Sequence, residues 1–438
     1  MKKYLVNTVL FLLDFIFIIA IYHLVAWIRN SITTYEIPPL SLKNQEDFMP
    51  VFILIALILV YEKLYKYRLD FWEETKLVFK ALSLSFIIIL SFIMLSRINT
   101  EYSRSFIVMY FCFMTLLFPI YKRYIKKFLF SFNCFKKKVK IVGNMEQKII
   151  IEREFKNNWY LGLCCVTKKY EAIFIATKDM PINALNLYLD RYMKETKDLY
   201  ILPYIAKVNL AEVNIMEYFN IRTSVIHIEN ELLKSCNIFL KEIFEKLLMF
   251  LVLPLVLILH GFIAFVIKRD SIGSIFFRQE RLGKDGKIFT CFKYRTMYED
   301  GDSILDKYLE VNPEEIEYFK RYHKYQNDPR ITKIGKFLRQ SSLDELPQII
   351  NVLKANMSLI GPRPYMVEEM DKIKENRNII FMVKPGITGL WQVSGRNDLT
   401  FENRKELDIW YIQNWSLWMD FIVLLKTFKV VLSKKGAR

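Results

Sequence analysis

Long apolar stretches separated by basic connectors dominate the first third of the chain. Four apolar runs occupy about residues 4–28, 51–65, 78–95 and 106–120. A membrane-spanning helix needs ~20 predominantly apolar residues, a length the second and fourth runs reach only with their aromatic flanks included. Read that way, residues 1–130 form four transmembrane helices. The first is not a signal peptide, since it is long, has no small-residue cleavage site and is followed by further runs. Lys2 and Lys3 precede it, and residues 30–50 carry little positive charge. Lys63, Lys66, Arg68, Lys76 and Lys80 follow the second run, and the fourth empties into Lys122, Arg123, Lys126, Lys127 and Lys136 to Lys138. By the positive-inside rule both ends of this region are cytoplasmic. Asp14 lies within the first run with no opposite charge recurring at matching depth, so a polar contact between helices is expected of it rather than an ion path.

Over residues 137–230 the pattern shortens. "VKIVGN", "LGLCCVT", "YEAIFIAT", "DLYILPY" and "SVIHI" read as strands alternating with helices, one ending near residue 157 and one near 182–194. This predicts a small Rossmann-like α/β domain. Gly143 follows the first strand, but Asn144, Met145 and Glu146 lack the glycines that admit a pyrophosphate to the helix N-terminus. A structural, dimerising or regulatory module is expected, not a dinucleotide site. A fifth run, "LLMFLVLPLVLILHGFIAFVI" at 247–267, is long enough to cross a bilayer. Lys241 and Lys246 precede it, and Lys268 and Arg269 follow. Positive charge on both sides argues against crossing. Pro254 within it removes a backbone hydrogen bond and bends the helix. Two readings stand on the flanks alone: a spanning helix that tolerates a proline, or one that dips into the inner leaflet and returns.

Composition supports a membrane setting. Of 438 residues 53% are hydrophobic, and the formal net charge is +17, too apolar and too basic together for an ordinary soluble enzyme. An anionic lipid surface or anionic substrate is the natural partner. Nucleic acid is the rival explanation of the charge, but no zinc-finger spacing, RNP signature or basic recognition helix is present. The six cysteines, Cys112, Cys134, Cys164, Cys165, Cys236 and Cys291, form no C-x-x-C pair, and the four histidines are isolated. Neither a disulfide framework nor a transition-metal cluster is indicated.

The candidate chemistry lies after residue 270. "SSLDELPQ" at 341–348 sets Asp344 beside Glu345. Neighbours on a helix point about 100° apart, so these acids face different things. Ser342 with Glu345 also fits a capping box, in which both charges simply suit the helix N-terminus. Around them arginines recur beside glycine and proline turns: Arg278, Arg281, Arg330, Arg363 in "GPRP" and Arg396 in "GRN". Guanidinium forks on tight turns suit phosphate oxygens. Trp391, Trp410, Trp415 and Trp418, interleaved with Tyr411, Leu417, Phe421 and Lys426, Lys429, Lys434 and Lys435, predict amphipathic helices in the headgroup zone. A buried core helix is the alternative, since periodicity does not separate the two. Residues 299–325 read as solvated helix and loop.

The stretches "DSIGSIFFRQERLGKDGKIFTCFKYRTM", "NDPRITKIGKFLRQSSLDELPQIINVLKANMSLIGPRP" and "KPGITGLWQVSGRND" resemble the bacterial sugar transferase family. These are monotopic phosphoglycosyl transferases that load a sugar phosphate from a nucleotide diphosphate sugar onto a polyprenol phosphate. The layout resembles the family's long members, and the tail resembles those that load galactose 1-phosphate onto undecaprenyl phosphate. The resemblance implies an α/β membrane protein with three parts: four N-terminal transmembrane helices (1–130), a degenerate Rossmann-like domain (137–230), and a catalytic α/β domain (238–438) with a re-entrant helix broken near Pro254. It implies that Asp344 is the nucleophile and that Glu345 helps hold Mg2+. Lys293 and Arg295 of "KYRTM", Arg396 and Asp408 would belong to the site. The implied reaction takes a UDP-sugar and undecaprenyl phosphate, passes through an aspartyl phosphosugar and releases UMP at the cytoplasmic face of the bacterial inner membrane. It would initiate surface polysaccharide synthesis. Galactose is the expected sugar, with glucose or an N-acetylated sugar the alternatives. Here Lys241-Glu242, Glu245 and Leu253 stand where the family has Lys-Arg, Asp and Ser, and its "LKGDMS" reads "LKANMS" at Ala355 and Asn356.

Elementary electrostatics fits this reading. A carboxylate attacking a diphosphate brings anions together at about a few kcal/mol even at an effective dielectric near 20. Mg2+ held by one or two protein carboxylates and the substrate phosphates offsets that repulsion. Two other classes compete. A nucleotide-sugar dehydratase or epimerase would need an intact glycine-rich loop and a Tyr-x-x-x-Lys couple, and "IVGNMEQ" offers no such loop. A non-catalytic membrane assembly factor would need only the membrane segments and the middle domain.

Overall fold

Apolar faces in the first 130 residues fold inward on one another and outward toward lipid. The computed structural model describes residues 2–31, 45–66, 68–96, 104–196, 198–203, 214–218, 223–227, 231–317, 325, 328–395 and 399–433. Arg396, expected in the site, lies outside them. The chain divides into two compact units, residues 1–205 and 206–438. The first begins with α1 (Lys2–Ser31), α2 (Gln45–Tyr61), α3 (Phe71–Ser96) and α4 (Arg104–Leu129). Tyr22 stacks edge-on against Phe52 and Phe106, and with Ile55, Tyr110 and Phe118 forms a solvent-free core. Outward residues such as Ile16, Leu57, Phe92 and Leu116 are apolar and exposed, as a lipid-facing surface requires. Three of these helices are long and apolar enough to cross a bilayer. The second departs from expectation: α2 has 17 residues, about 26 Å of rise, at the lower limit for a span.

Asp14 has a partner after all. Lys122 Nζ lies 2.6 Å from Asp14 and 3.3 Å from Glu74, Lys126 also bonds Glu74, and Tyr65 donates to Asp14 at 2.7 Å. Lys122 reads in sequence as a topology-setting charge beyond an apolar run. The helix instead continues past it to Leu129 and draws it inside, where both acids offset its desolvation. Tyr160, from the α/β part of the unit, also donates to Glu74, at 2.6 Å.

That part is a parallel sheet in order β2-β1-β3-β4: β1 (Lys137–Gly143), β2 (Leu163–Cys165), β3 (Ala172–Ala176) and β4 (Asp198–Leu202), with α5 (Met145–Asn157) and α6 (Ile182–Tyr192) as crossovers. Gly143 has φ +106, and a Cβ there would lie 2.2 Å from the Ala176 carbonyl oxygen. The lone glycine thus serves close strand packing. "SVIHI" does form a strand, β6 (Thr223–His227), but it pairs antiparallel with β5 (Asn214–Tyr218) as a local hairpin in the second unit, outside the parallel sheet.

The second unit continues with α7 (Ser235–Asp270), one unbroken helix with Pro254 inside it. The break in secondary structure expected at Pro254 is absent, because a proline forfeits one backbone bond without having to end the helix. Both ends of α7 are tied to the same domain. Lys241 pairs with Asp420 at 2.6 Å, and Glu245 accepts from the Ser358 hydroxyl at 2.5 Å. Ile263 and Ile267 pack on Tyr294 and Leu338, and His260 Nδ1 lies 2.6 Å from the Tyr294 hydroxyl. Between the anchors Phe250, Leu251, Leu255, Ile258 and Phe262 are exposed.

The antiparallel hairpin β7 (Phe276–Leu282) and β8 (Ile288–Tyr294) follows, then α8 (Gly301–Val311), α9 (Lys333–Ser341), a 3-10 segment (Leu343–Gln348) and α10 (Ile349–Leu353). Next come β9 (Ser358–Ile360), α11 (Arg377–Ile380), β10 (Gly386–Thr388), parallel to β9, and α12 (Leu390–Ser394), α13 (Phe401–Gln413) and α14 (Leu417–Ser433). Part of the tail is core. Tyr411, Ile412, Trp415 and Val423 are core residues packed with Ile360, held there by Tyr411 and Trp415 both donating to the Asp420 carboxylate. Of the described tail, only residues such as Leu425 and Phe428 of α14 present exposed apolar surface.

Candidate active site

The adjacent acids owe their separate directions to a change of helix type. Ser342, with φ 58, ends α9 in a left-handed turn and starts the 3-10 segment, and its side chain makes no capping hydrogen bond. The capping-box reading therefore does not hold. With three residues per turn, Asp344 and Glu345 point about 120° apart. The segment is braced against β8 by buried Asn351, which accepts from Phe292 N at 3.0 Å and donates to the Thr290 carbonyl at 2.6 Å. This fixes Lys293, whose Nζ donates to Glu345 at 2.7 Å.

Asp344 and Glu345 line a cleft of about 680 Å³ with Lys293, Arg339 and Gln392. Burial, and then Glu345 beside it, push the Asp344 carboxyl up to about 6, while Lys293 and Arg339 restrain the rise. A smaller chamber of about 160 Å³ shares Lys293, Glu345 and Trp391 and adds Arg281 and Arg363. Arg281 donates to the Pro364 carbonyl and to Gln279, and burial with Arg363 nearby depresses its affinity for a proton. The guanidiniums of Arg363 and Arg404 lie 5.6 and 5.2 Å from the Trp391 ring centroid. Trp391 Nε1 is buried with no hydrogen-bond partner among the described residues. Three cations against one carboxylate make this chamber suited to a phosphate.

The other expected residues divide. Arg278 is exposed and absent from both linings, because strand alternation puts Gln279 and Arg281 on the inner face of β7 and Arg278 on the outer. Arg295 lines the cleft, but its guanidinium is committed to the Ile272 and Ser271 carbonyls at 2.7 and 2.8 Å, pinning the end of α7. Arg330 also lines it, paired through two nitrogens with Asp328. Asp408 sits behind the site on α13, accepting from the Tyr365 hydroxyl at 2.9 Å and Arg363 N at 3.2 Å. Burial pushes it up to about 7. It positions the "GPRP" turn and does not touch the cleft. Sequence reading missed Arg339, Asn351, Gln392 and Arg404 as site residues. Arg339 stands in the same run as the acids, and Gln392 follows Trp391 in "LWQVSGRND"; Asn351 and Arg404 carry no local signal.

A profile for the bacterial sugar transferase family matches residues 236–434. The chain is 32% identical over 408 residues to an uncharacterized sugar transferase of Haemophilus influenzae, covering 85% of each. It is 30% identical over 402 residues to the undecaprenyl-phosphate galactose phosphotransferase of Salmonella typhimurium, covering 85% of this chain and 84% of that one. It is 29% identical over 413 residues to the UDP-glucose:undecaprenyl-phosphate glucose-1-phosphate transferase of Klebsiella pneumoniae, covering 84% of each. With the paired acids and the phosphate-sized cationic chamber on one wall, these similarities mean that the chain belongs to the bacterial sugar transferase family.

Proposed function

We propose that this protein transfers galactose 1-phosphate from UDP-galactose to undecaprenyl phosphate at the cytoplasmic face of the bacterial inner membrane, the step that opens synthesis of a surface polysaccharide. The observation that carries it is Asp344, a partly buried carboxylate of the cleft, next to Glu345, which lines both the cleft and the cationic chamber. Its oxygen attacks the sugar-bearing phosphorus, the phosphoanhydride bond breaks, and UMP leaves with the electron pair. An oxygen of the lipid phosphate then attacks the same phosphorus and frees Asp344. The covalent route suits a soluble donor and a lipid acceptor that need not be bound together.

The donor set fits Mg2+: Asp344 and Glu345 offer carboxylate oxygens, the ligand type that ion prefers, to one cleft. Such a site leaves the remaining positions to phosphate and water. Glu345 would hold the ion, which supplies neutralisation of phosphate charge. Lys293 orients Glu345, and Arg281 and Arg363 bind phosphate oxygens. Topology is consistent with the same reading. The anchors Glu245 and His260 both contact one domain, and the 15 helical steps from one to the other rise about 22 Å, less than the ~30 Å hydrocarbon core. That supports an unbroken α7 whose apolar flank sinks into one leaflet without crossing.

Glucose 1-phosphate is the second reading, favoured by the Klebsiella similarity. Purified protein incubated with each UDP-sugar alone tests both. UDP-galactose should release UMP in a burst equal to the enzyme present and add one hexose phosphate to the Asp344 peptide. A burst confined to UDP-glucose changes the sugar, and no burst with any UDP-sugar refutes the covalent route.

A further inference from the structure

Between the N-terminal half of α7 and the β9–β10 ribbon lies a groove of about 470 Å³ that this chemistry leaves unused. Its walls are apolar, with Met249, Phe250 and Leu253 on the α7 side and Leu353, Met357 and Met382 on the other. Phe250 is 76% exposed and Leu353 61%, so the groove opens along the flank of α7 that carries the exposed apolar residues. Its rim holds Lys246, Lys284 and Lys384 against one rim carboxylate, Glu242, a balance of 3 − 1 = +2. Glu242 lies 3.2 Å from Lys384 and 3.8 Å from Lys246. The other charged pair in the lining, Lys241 and Glu245, is internally compensated at 2.8 Å.

An apolar slot with a cationic rim on a membrane-facing helix fits a lipid with an anionic head. Where the groove ends favours one lipid. Ile360 and Gly361 line it and lead within two residues to Arg363; Lys384 lies three residues before Ile387. Arg363 and Ile387 line the cationic chamber that also holds Lys293 and Glu345. Two to three residues of extended chain span about 7–10 Å, so a phosphate at the groove's inner end lies beside that chamber.

We propose that this groove holds the first isoprenoid units of the polyprenyl phosphate acceptor, with Lys284 and Lys384 guiding its phosphate toward Arg363 and Asp344. The inference rests on the transfer proposed above and adds where the lipid enters. The test places full-length Asp344→Asn protein in nanodiscs with a polyprenyl phosphate carrying a diazirine on its first isoprene unit. Photolabel should fall on peptides containing Phe250, Leu353 or Met382 and survive a large excess of phosphatidylglycerol. Label elsewhere, or its displacement by phosphatidylglycerol, overturns the inference. In protein with Asp344 intact, Lys284→Gln together with Lys384→Gln should raise the acceptor KM about tenfold or more and leave the donor-alone UMP burst unchanged. An unchanged acceptor KM also overturns it. Labelling requires no turnover, so label in the groove without UMP release refutes the phosphotransfer and spares the lipid site. Turnover with label elsewhere does the reverse.

Discussion

Removing Lys293 should slow the enzyme at neutral pH by changing the charge state of a different residue. In the proposed mechanism Asp344 attacks only when ionised, and with its carboxyl at about 6 about nine-tenths of it is ionised at pH 7. Two cations, Lys293 and Arg339, oppose the burial and the Glu345 charge that push it up. Loss of one nearby opposite charge moves a carboxyl by about one to two pH units. In Lys293→Met the inflection of the donor-alone burst rate should therefore move from about pH 6 to between about 7 and 8. The pH 7 rate would fall about two- to tenfold from ionisation alone and recover above pH 9. Glu345→Gln removes the carboxylate that would hold Mg2+, so its maximal rate should fall at every pH and the remnant should require more Mg2+. Rapid-quench measurement of UMP release across pH 5 to 9 separates these effects. An inflection that stays at the wild-type value in Lys293→Met would refute Asp344 as the titrating nucleophile.

Asn351→Ala removes both bonds that brace β8 and leaves Phe292 N and the Thr290 carbonyl unsatisfied. A loss of about 2–4 kcal/mol is expected, read as a fall in Tm of the detergent-solubilised protein. Ala355 has φ 60 where the family carries glycine, so Ala355→Gly should relieve left-handed strain and raise stability by about 0–1 kcal/mol after its own entropic cost; a lowered Tm would contradict this. Asp408 is held at about 7 against an ordinary 3.8. The folded state therefore binds its proton more tightly than the unfolded, and stability falls as pH rises from about 4 to 7, by roughly 4 kcal/mol in full. Asp408→Asn should flatten that part of the Tm–pH curve, and an unchanged slope would place the titration elsewhere. Asp14→Asn removes the nearer of the two carboxylates paired with Lys122, at 2.6 Å, and leaves Glu74 at 3.3 Å, so it should cost less than the about 3–5 kcal/mol of a fully unpaired buried charge. Adding Lys122→Met should recover part of it, and failure to do so would deny the pair its coupling.

Features set by neighbours in the chain were legible, and features set by distant packing were not. The parallel sheet follows from strands and crossovers that each announce themselves locally, and so does the placement of Asp344 and Glu345 in "SSLDELPQ". The capping box failed because nothing in Ser342 foretells its left-handed turn, which depends on how α9 meets β8. Lys122 was read as a loop charge because a lysine at the end of an apolar run looks alike whether it reaches water or folds back onto Asp14 and Glu74. Trp415 reads as interfacial for the same reason. Trp415 is amphipathic in either setting, and only the Asp420 carboxylate, which bonds its indole at 2.9 Å, decides that its polar end is met inside the protein.

The same distinction explains Arg278 and Arg281. Both flank glycine-rich turns and both would suit a phosphate, yet they are three residues apart on one strand and so must face opposite sides. The pleat admits one of them to the chamber, and which one depends on the register Gln279↔Cys291 and Arg281↔Phe289. That register turns Arg281 toward the Pro364 carbonyl and Arg363. A sequence shows that an arginine is available; the hairpin's pairing decides whether its charge is felt at the phosphate. Asp408 completes the case from the other side, since its carboxylate stays out of the cleft and acts on it through the Tyr365 hydroxyl and the backbone N–H of Arg363, both of which donate to it.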